Sequence, residues 1–298
     1  MMTLTQLMDR FPTEDSCRAY LVEMRWPKGV SCPRCGNEKV HKLARPWTWQ
    51  CKKCSAQGYR FSPLVGTIFE NTNYPLRTWF EVIFLMCSSK KGISALQIHR
   101  MIGSGSYRTA WYMCHRIRAA MRNEKFRKLT GIVEIDETYI GGKAKNRHGG
   151  GIGGGSKRGQ GGRGPAGKIT VIGAIARKGN VVAKMIQNTD AATLEGFVAE
   201  TVSSKVKLVA TDEHGGYRGI KKNLRMKHRA VRHKNKEYVR GNVHTANIDG
   251  FWSLIKRGVM GTFHQISSDY LPLYLNEFAF RHNHRDNPDI FSAVVQAS

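Results

Sequence analysis

The sequence predicts an α/β protein: a mixed sheet flanked by helices in the C-terminal half, preceded by a small cysteine-built module and a helical segment. Three observations carry that prediction. Two Cys-x-x-Cys pairs, Cys32/Cys35 and Cys51/Cys54, stand fifteen residues apart. From Pro75 to about Leu129, apolar residues recur at helical spacing. Beyond residue 131 the pattern becomes strand, hairpin, helix, strand, helix, an order that builds a mixed sheet.

A chain of 298 residues holds about two domains, or one large domain with appendages, and can bury a sizeable core. It carries 48 Lys and Arg against 22 Asp and Glu, a formal charge of +26. Such a surplus points to a polyanionic partner, because each phosphate neutralised releases condensed counterions. No apolar run reaches the roughly 18 residues of a membrane span. The opening Met1-Met2-Thr3-Leu4-Thr5 lacks the charged and apolar regions of a secretory signal. A cytoplasmic setting is therefore expected. Seven cysteines without an export signal favour metal binding over a disulfide framework.

Residues 1–30 read as a helical lead-in anchored by Phe11, Tyr20, Leu21 and Trp26. Residues 31–60 read as a zinc ribbon, with Val40–Leu43 and Trp47–Gln50 as short strands beside the cysteine knuckles. Four thiolates suit one tetrahedral Zn²⁺, and so small a core needs the metal to fold. Cys17, Cys87 and Cys114 sit in helical patterns and read as core thiols. In the helical region 61–130, Ser94–Gly103 and Tyr107–Arg118 flank the turn Gly103-Ser104-Gly105-Ser106, whose last serine is a natural N-cap. The pair resembles a helix-turn-helix, and its second helix offers Arg108, His115, Arg116 and Arg118 to DNA. An ordinary helical hairpin with a solvated basic face remains the alternative.

Residues 131–298 form the expected catalytic domain, interrupted by a Gly-rich basic insertion at 141–168. No Gly-x-x-x-x-Gly-Lys-Ser/Thr phosphate loop occurs there, so no nucleotide cofactor is expected. Lys168–Ala176, the turn Arg177–Asn180 and Val181–Ile186 form a hairpin beside the strand 132–140; Ala191–Val202 is a helix and Val206–Thr211 a short buried strand.

Three acids stand on these elements. Asp136 lies in the β-branched run Ile132–Ile140, Asp212 ends the run Lys207–Thr211, and Asp249 opens the helical pattern 249–257. Two strand acids and one helix acid match the way an RNase H-like domain gathers carboxylates around two metal ions. Two ions about 3.5–4 Å apart supply both an activated nucleophile and a stabilised leaving oxygen, and Mg²⁺ or Mn²⁺ suits oxygen ligands. Each acid alone could cap a turn or, for Asp249, its helix. Glu134 shares a strand face with Asp136, whereas Glu137 points to the other face and is the weaker candidate. From Arg218 to Arg240 there are ten Lys or Arg and one acid, Glu237, a one-sided run suited to phosphate contacts. Lys221, Lys222 and Arg225 are its candidates. Lys256 follows Asp249 by seven residues, two helical turns, so the two share a helix face; Arg257 adjoins it.

Several motifs in order resemble the DDE-type transposases of bacterial insertion sequences, in the group with an N-terminal zinc ribbon. They are Arg25-Trp26-Pro27 ahead of Cys32-Pro33-x-Cys35, Phe61-Ser62 with Gly66-Thr67-Ile68-Phe69, and Thr109-Ala110-Trp111 before His115-Arg116. Asp136-Glu137-Thr138-Tyr139-Ile140-Gly141-Gly142, Thr211-Asp212, His244-Thr245, Gly250-Phe251-Trp252-Ser253 and Asn276-Glu277-Phe278 with Arg281 continue the match. The resemblance implies an enzyme that recognises terminal inverted repeats, nicks DNA to expose a 3′-hydroxyl and joins that end to target DNA. It implies catalysis by Asp136, Asp212 and Asp249, a homo-oligomer assembled on double-stranded DNA, and a bacterial, nucleoid-associated setting. The third acid is often Glu in such enzymes; here it is Asp249. A basic residue at the offset of Lys256 is common among them. The alternatives are an RNase H-like nuclease or resolvase without strand transfer, and a DNA-binding derivative without catalysis.

Overall fold

Aromatic packing decides how the chain divides. The computed structural model describes residues 2–55, 57–122, 126–141, 168–231, 239, 241 and 243–298. It contains two compact units, Met1–Arg122 with His284–Ser298, and Asn123–Asn283. The expected division, with one domain running from 131 to 298, is corrected at the C-terminus. In the last helix Phe291 lies 5.3 Å from Phe80 and 5.8 Å from Phe11, and Tyr20 meets Ser292 at 2.5 Å. The apolar face of that helix thus completes the core of the first unit.

In this unit Thr3 and Thr13 cap α1 (Leu4–Arg10) and α2 (Glu14–Arg25) with reciprocal capping boxes. A three-stranded sheet follows: β1 (His41–Lys42), β2 (Trp49–Cys51) and β3 (Tyr59–Phe61). The third strand lies beyond the hairpin expected from the cysteine spacing. Trp26, Trp49 and Phe61 pack with centroids 6.0–6.2 Å apart, forming a small core against the cysteines. Next come α3 (Leu76–Ser88), α4 (Ala95–Ile102) and α5 (Tyr107–Ala120). Gly103 ends α4 at φ 61°, a left-handed position that glycine adopts without penalty. Ser106 caps α5 by accepting the Thr109 N–H, as the sequence predicts. Cys17, Cys87 and Cys114 are buried, in keeping with core thiols.

The second unit is a five-stranded mixed sheet in the order β6-β5-β4-β7-β8. The strands are β4 (Ile132–Ile140), β5 (Ile169–Ala176), β6 (Val181–Ile186), β7 (Leu208–Thr211) and β8 (His228–Ala230). β4 runs antiparallel to β5 and parallel to β7. Its alternating pattern separates two cores. Val133 and Ile135 face α6 (Ala191–Thr201), joined by Ile220 of α7 (Ile220–Asn223). On the other face Ile140, Val171 and Ile175 meet α8 (Ala246–Gly258) and α9 (Leu271–Asn283). Fully burying one such aliphatic or aromatic side chain contributes about 1.5–3 kcal/mol. α8 runs on into a π-helical turn, Val259–Phe263. The C-terminal helix of the first unit is α10 (Ile290–Gln296). Most of the Gly-rich insertion, residues 142–167, lies outside the described residues, as do 232–238 of the basic run.

One glycine positions α8. Gly173 on β5 is the cross-strand partner of Asp136, and a Cβ there would meet the Trp252 ring at 2.6 Å. The bare backbone admits the indole against the sheet. Gly173→Ala should therefore cost about 1–3 kcal/mol by overpacking, lowering the melting temperature of the second unit by several degrees. An unchanged melting curve would show that the indole does not need this gap.

Candidate active site

Strand β4 and helix α8 build a cavity of about 610 Å³. Asp136, Glu137 and Thr138 line it from the strand. Asp249, Trp252, Ser253, Lys256 and Arg257 line it from the helix, and Met260 and Gly261 from the π turn. The expected sharing of one helix face by Asp249 and Lys256 thus holds, and Arg257 joins them.

Asp136 is largely buried, and its carboxylate accepts the Trp252 indole N–H at 3.1 Å. Burial first, then repulsion from Glu137, Asp249 and Asp212, raises its pKa to about 7. Burial and nearby like charges both disfavour the ionised form of a carboxyl group. Asp249 is not the helix cap. It is the fourth residue of α8, where it accepts the hydroxyl proton of the N-cap Thr245 at 3.1 Å.

Asp212 follows β7, the neighbour of β4, and accepts the His214 amide at 3.0 Å. It does not line the cavity itself; its charge reaches both Asp136 and Glu137. Glu137 is the weaker candidate by strand alternation. It points to the opposite strand face yet contributes to the cavity wall, and the buried Tyr217 donates its hydroxyl to it at 2.5 Å. Burial and the charge of Asp212 push the Glu137 carboxyl up, against the opposing Tyr217 hydrogen bond. Glu134 shares the Asp136 face, as alternation predicts, but is fully buried and does not line the cavity.

Asp136, Glu137 and Asp249 line the cavity, and Asp212 stands outside it. Among the described residues, the group whose ligand atoms all lie within 4.8 Å of one another is Cys32, Cys35, Cys51 and Cys54. Cys32 and Cys54 sulfurs are 3.5 Å apart, and those of Cys35 and Cys51 are 3.7 Å apart. Zn–S bonds of about 2.3 Å place tetrahedral sulfurs roughly 3.8 Å apart, so this donor set fits one zinc and not a disulfide. The Asn37 amide donates to Cys51 Sγ at 3.6 Å, a contact that supports a thiolate.

The basic candidates fall into three environments. Lys221, Lys222 and Arg225 are exposed on and just after α7, outside the cavity. Arg108 is exposed on α5. Arg116 is half-buried, donating to the Glu70 carbonyl at 2.9 Å with its guanidinium over Trp79. Arg118 corrects the expectation of DNA contact, being only 1% exposed. It follows Cys114 by four residues, on the stripe with Ala110 and Ile117 that α5 turns into the core. His115 is buried likewise.

Comparison with known proteins agrees with this geometry. Residues 128–283 match the family described as the ISXO2-like transposase domain, and residues 12–57 match the transposase zinc-ribbon domain. A relative from Halobacterium salinarum, described as an uncharacterized protein in transposable element ISH50, is 27% identical over 280 residues, covering 91% of both chains. The first match spans the second structural unit from just before β4 to the end of α9 and takes in over half of the chain. The chain therefore belongs to the ISXO2-like transposase family, with a zinc ribbon ahead of its DDE domain.

Proposed function

We propose that the protein is a metal-dependent DNA transposase that binds the ends of an insertion sequence, nicks them and joins them to target DNA. The observation that carries this reading is the cavity where Asp136 and Asp249 meet from strand and helix, within the charge of Asp212. Asp136, Asp212 and Asp249 would hold two Mg²⁺ or Mn²⁺ ions, and the elevated pKa of Asp136 fits a carboxylate set built for a cation. Bound ions of this kind supply an activated water or 3′-hydroxyl and neutralise the leaving oxygen.

The chain's own groups do the rest. The Trp252 indole orients Asp136 and the Thr245 hydroxyl orients Asp249. Lys256 and Arg257, on the same wall, hold the scissile strand by its phosphates. Arg108, Lys221, Lys222 and Arg225 offer exposed cations for the flanking duplex. DNA ends are expected to bring copies of the chain together. Among the described residues no helix is long and apolar enough to cross a membrane.

Incubation with DNA carrying the element's ends and Mg²⁺ should give nicked and joined products. Asp249→Asn should reduce both by a factor of at least about 10³ while end binding stays within a few-fold, a loss typical of removing a group that acts in the transition state. Nicks without joined products would identify a nuclease instead. Full nicking by Asp249→Asn would remove Asp249 from the site.

The Asp136 carboxyl makes a pH-dependent prediction. Its folded pKa of about 7 lies above the usual value near 3.9, so folding disfavours the charged form. Below pH 4 the shift has no effect, and the penalty grows as pH rises towards 7. Metal-free Asp136→Asn should therefore melt at the same temperature as the unmodified protein at pH 4 and several degrees higher at pH 8. A gap that does not change between those pH values would contradict a carboxyl held protonated.

Purified protein should contain about one zinc. Replacing Cys51 and Cys54 by Ser should abolish the zinc content and unfold the ribbon, whose core rests against those sulfurs. Unchanged zinc in that variant would place the metal elsewhere.

A further inference from the structure

The first turn of α8 receives no side-chain cap from its own N-cap, Thr245. Two of its donors are satisfied from the sheet instead. Glu134 Oε2 on β4 accepts the backbone N–H of Asn247 at 2.8 Å and that of Ile248 at 3.3 Å. Glu134 Oε1 accepts the Asn247 side-chain amide at 2.7 Å and Arg177 Nε at 2.7 Å. His244 Nδ1 sits 3.2 Å from the same oxygen and accepts the Ala246 backbone N–H at 3.3 Å. Arg177 also donates to the His244 carbonyl at 3.3 Å, tying the residue before the N-cap to the same cluster. A carboxylate can accept at about four positions, and here those positions are filled.

The position of this cluster is what gives it a consequence. Glu134 precedes Asp136 by two residues on one strand face, and Asn247 precedes Asp249 by two residues at the start of one helix. The carboxylate also stands against the first-turn amides of the helix, where the macrodipole favours an anion. The joint therefore clamps the two elements immediately beside the acids they carry.

We propose that Glu134 is a positioning residue: by fixing the first turn of α8 on β4 it sets the separation of Asp136 and Asp249, and with it the affinity of the site for divalent cation. This rests on the metal-site reading above. Glutamine cannot reproduce the joint. Its amide nitrogen would face donors from Asn247 or Arg177, so at least one pair of N–H groups is left opposed and the helix start must shift.

The test uses the full-length, zinc-loaded protein and Mn²⁺ titration in the absence of DNA, with thermal melting and end cleavage measured alongside. Glu134→Gln should weaken Mn²⁺ binding by about tenfold or more, the usual size of such an outer contact, and raising Mn²⁺ should restore part of the cleavage rate. Val198→Ala is the stability control. Val198 is buried in α6 on the opposite face of the sheet, so that variant should lose melting temperature without losing Mn²⁺ affinity. Unaltered affinity in Glu134→Gln, or an equal loss in Val198→Ala, overturns the proposal. Should Glu134→Gln fail to fold, Asn247→Ala decides, since it removes one donor and leaves the backbone pair; a severalfold weakening supports the joint and no change overturns it. Asp136→Asn tests the underlying reading separately. If that variant binds Mn²⁺ as the unmodified protein does, the metal site lies elsewhere and the proposal falls with it, whatever Glu134→Gln shows.

Discussion

The seating of α8 on β4 is the constraint from which the cavity follows. A strand presents side chains to two faces, and β4 turns one of them towards α8 and α9. Along that face Glu134 engages the helix start, Asp136 meets the indole of Trp252, and Ile140 joins the apolar core. The helix thus touches the strand through an ion, a hydrogen bond and hydrophobic packing in succession. The cavity opens alongside these contacts, and both of its walls are secondary structure rather than loop. Acids placed on such walls keep their spacing, which is what a ligand set requires.

The two faces of β4 also explain the unequal surroundings of its acids. Glu134 is ion-paired and saturated with donors. Asp136, two residues on, accepts from the Trp252 indole and the Glu137 backbone and has three neighbouring negative charges. Glu137 looks the other way and is held by a buried phenol. Three carboxylates within four positions therefore do three jobs, because backbone alternation and the neighbouring helix give each a different dielectric and a different set of donors.

Much of this was legible in the chain. Alternation in 132–140, the hairpin around 177–180 and the helical period over 249–257 follow from where apolar residues recur, and the structure keeps each of them, starting the helix three residues earlier at Ala246. The cysteine spacing led to the four-sulfur cluster for a similar reason: the ligands are close in sequence and the chain between them is short. What sequence could not supply came from non-local contacts. Gly173 looked like an ordinary strand residue until the Trp252 ring was found against it. Glu134 looked like a spare ligand until the helix start was placed above it. Arg118 was an avoidable error, since its helical phase with Cys114 already assigned it to the core.

The return of the chain to its first unit has a consequence during synthesis. Phe11, Tyr20 and Phe80 emerge early, whereas Phe291, which closes over them, is made much later. All of Asn123–Asn283 is translated in between. At about 5–20 residues per second the ribosome needs on the order of 10–30 s for that stretch. During this interval the N-terminal aromatic surface is without its final partner, so the later-coded unit can complete its core before the earlier one does.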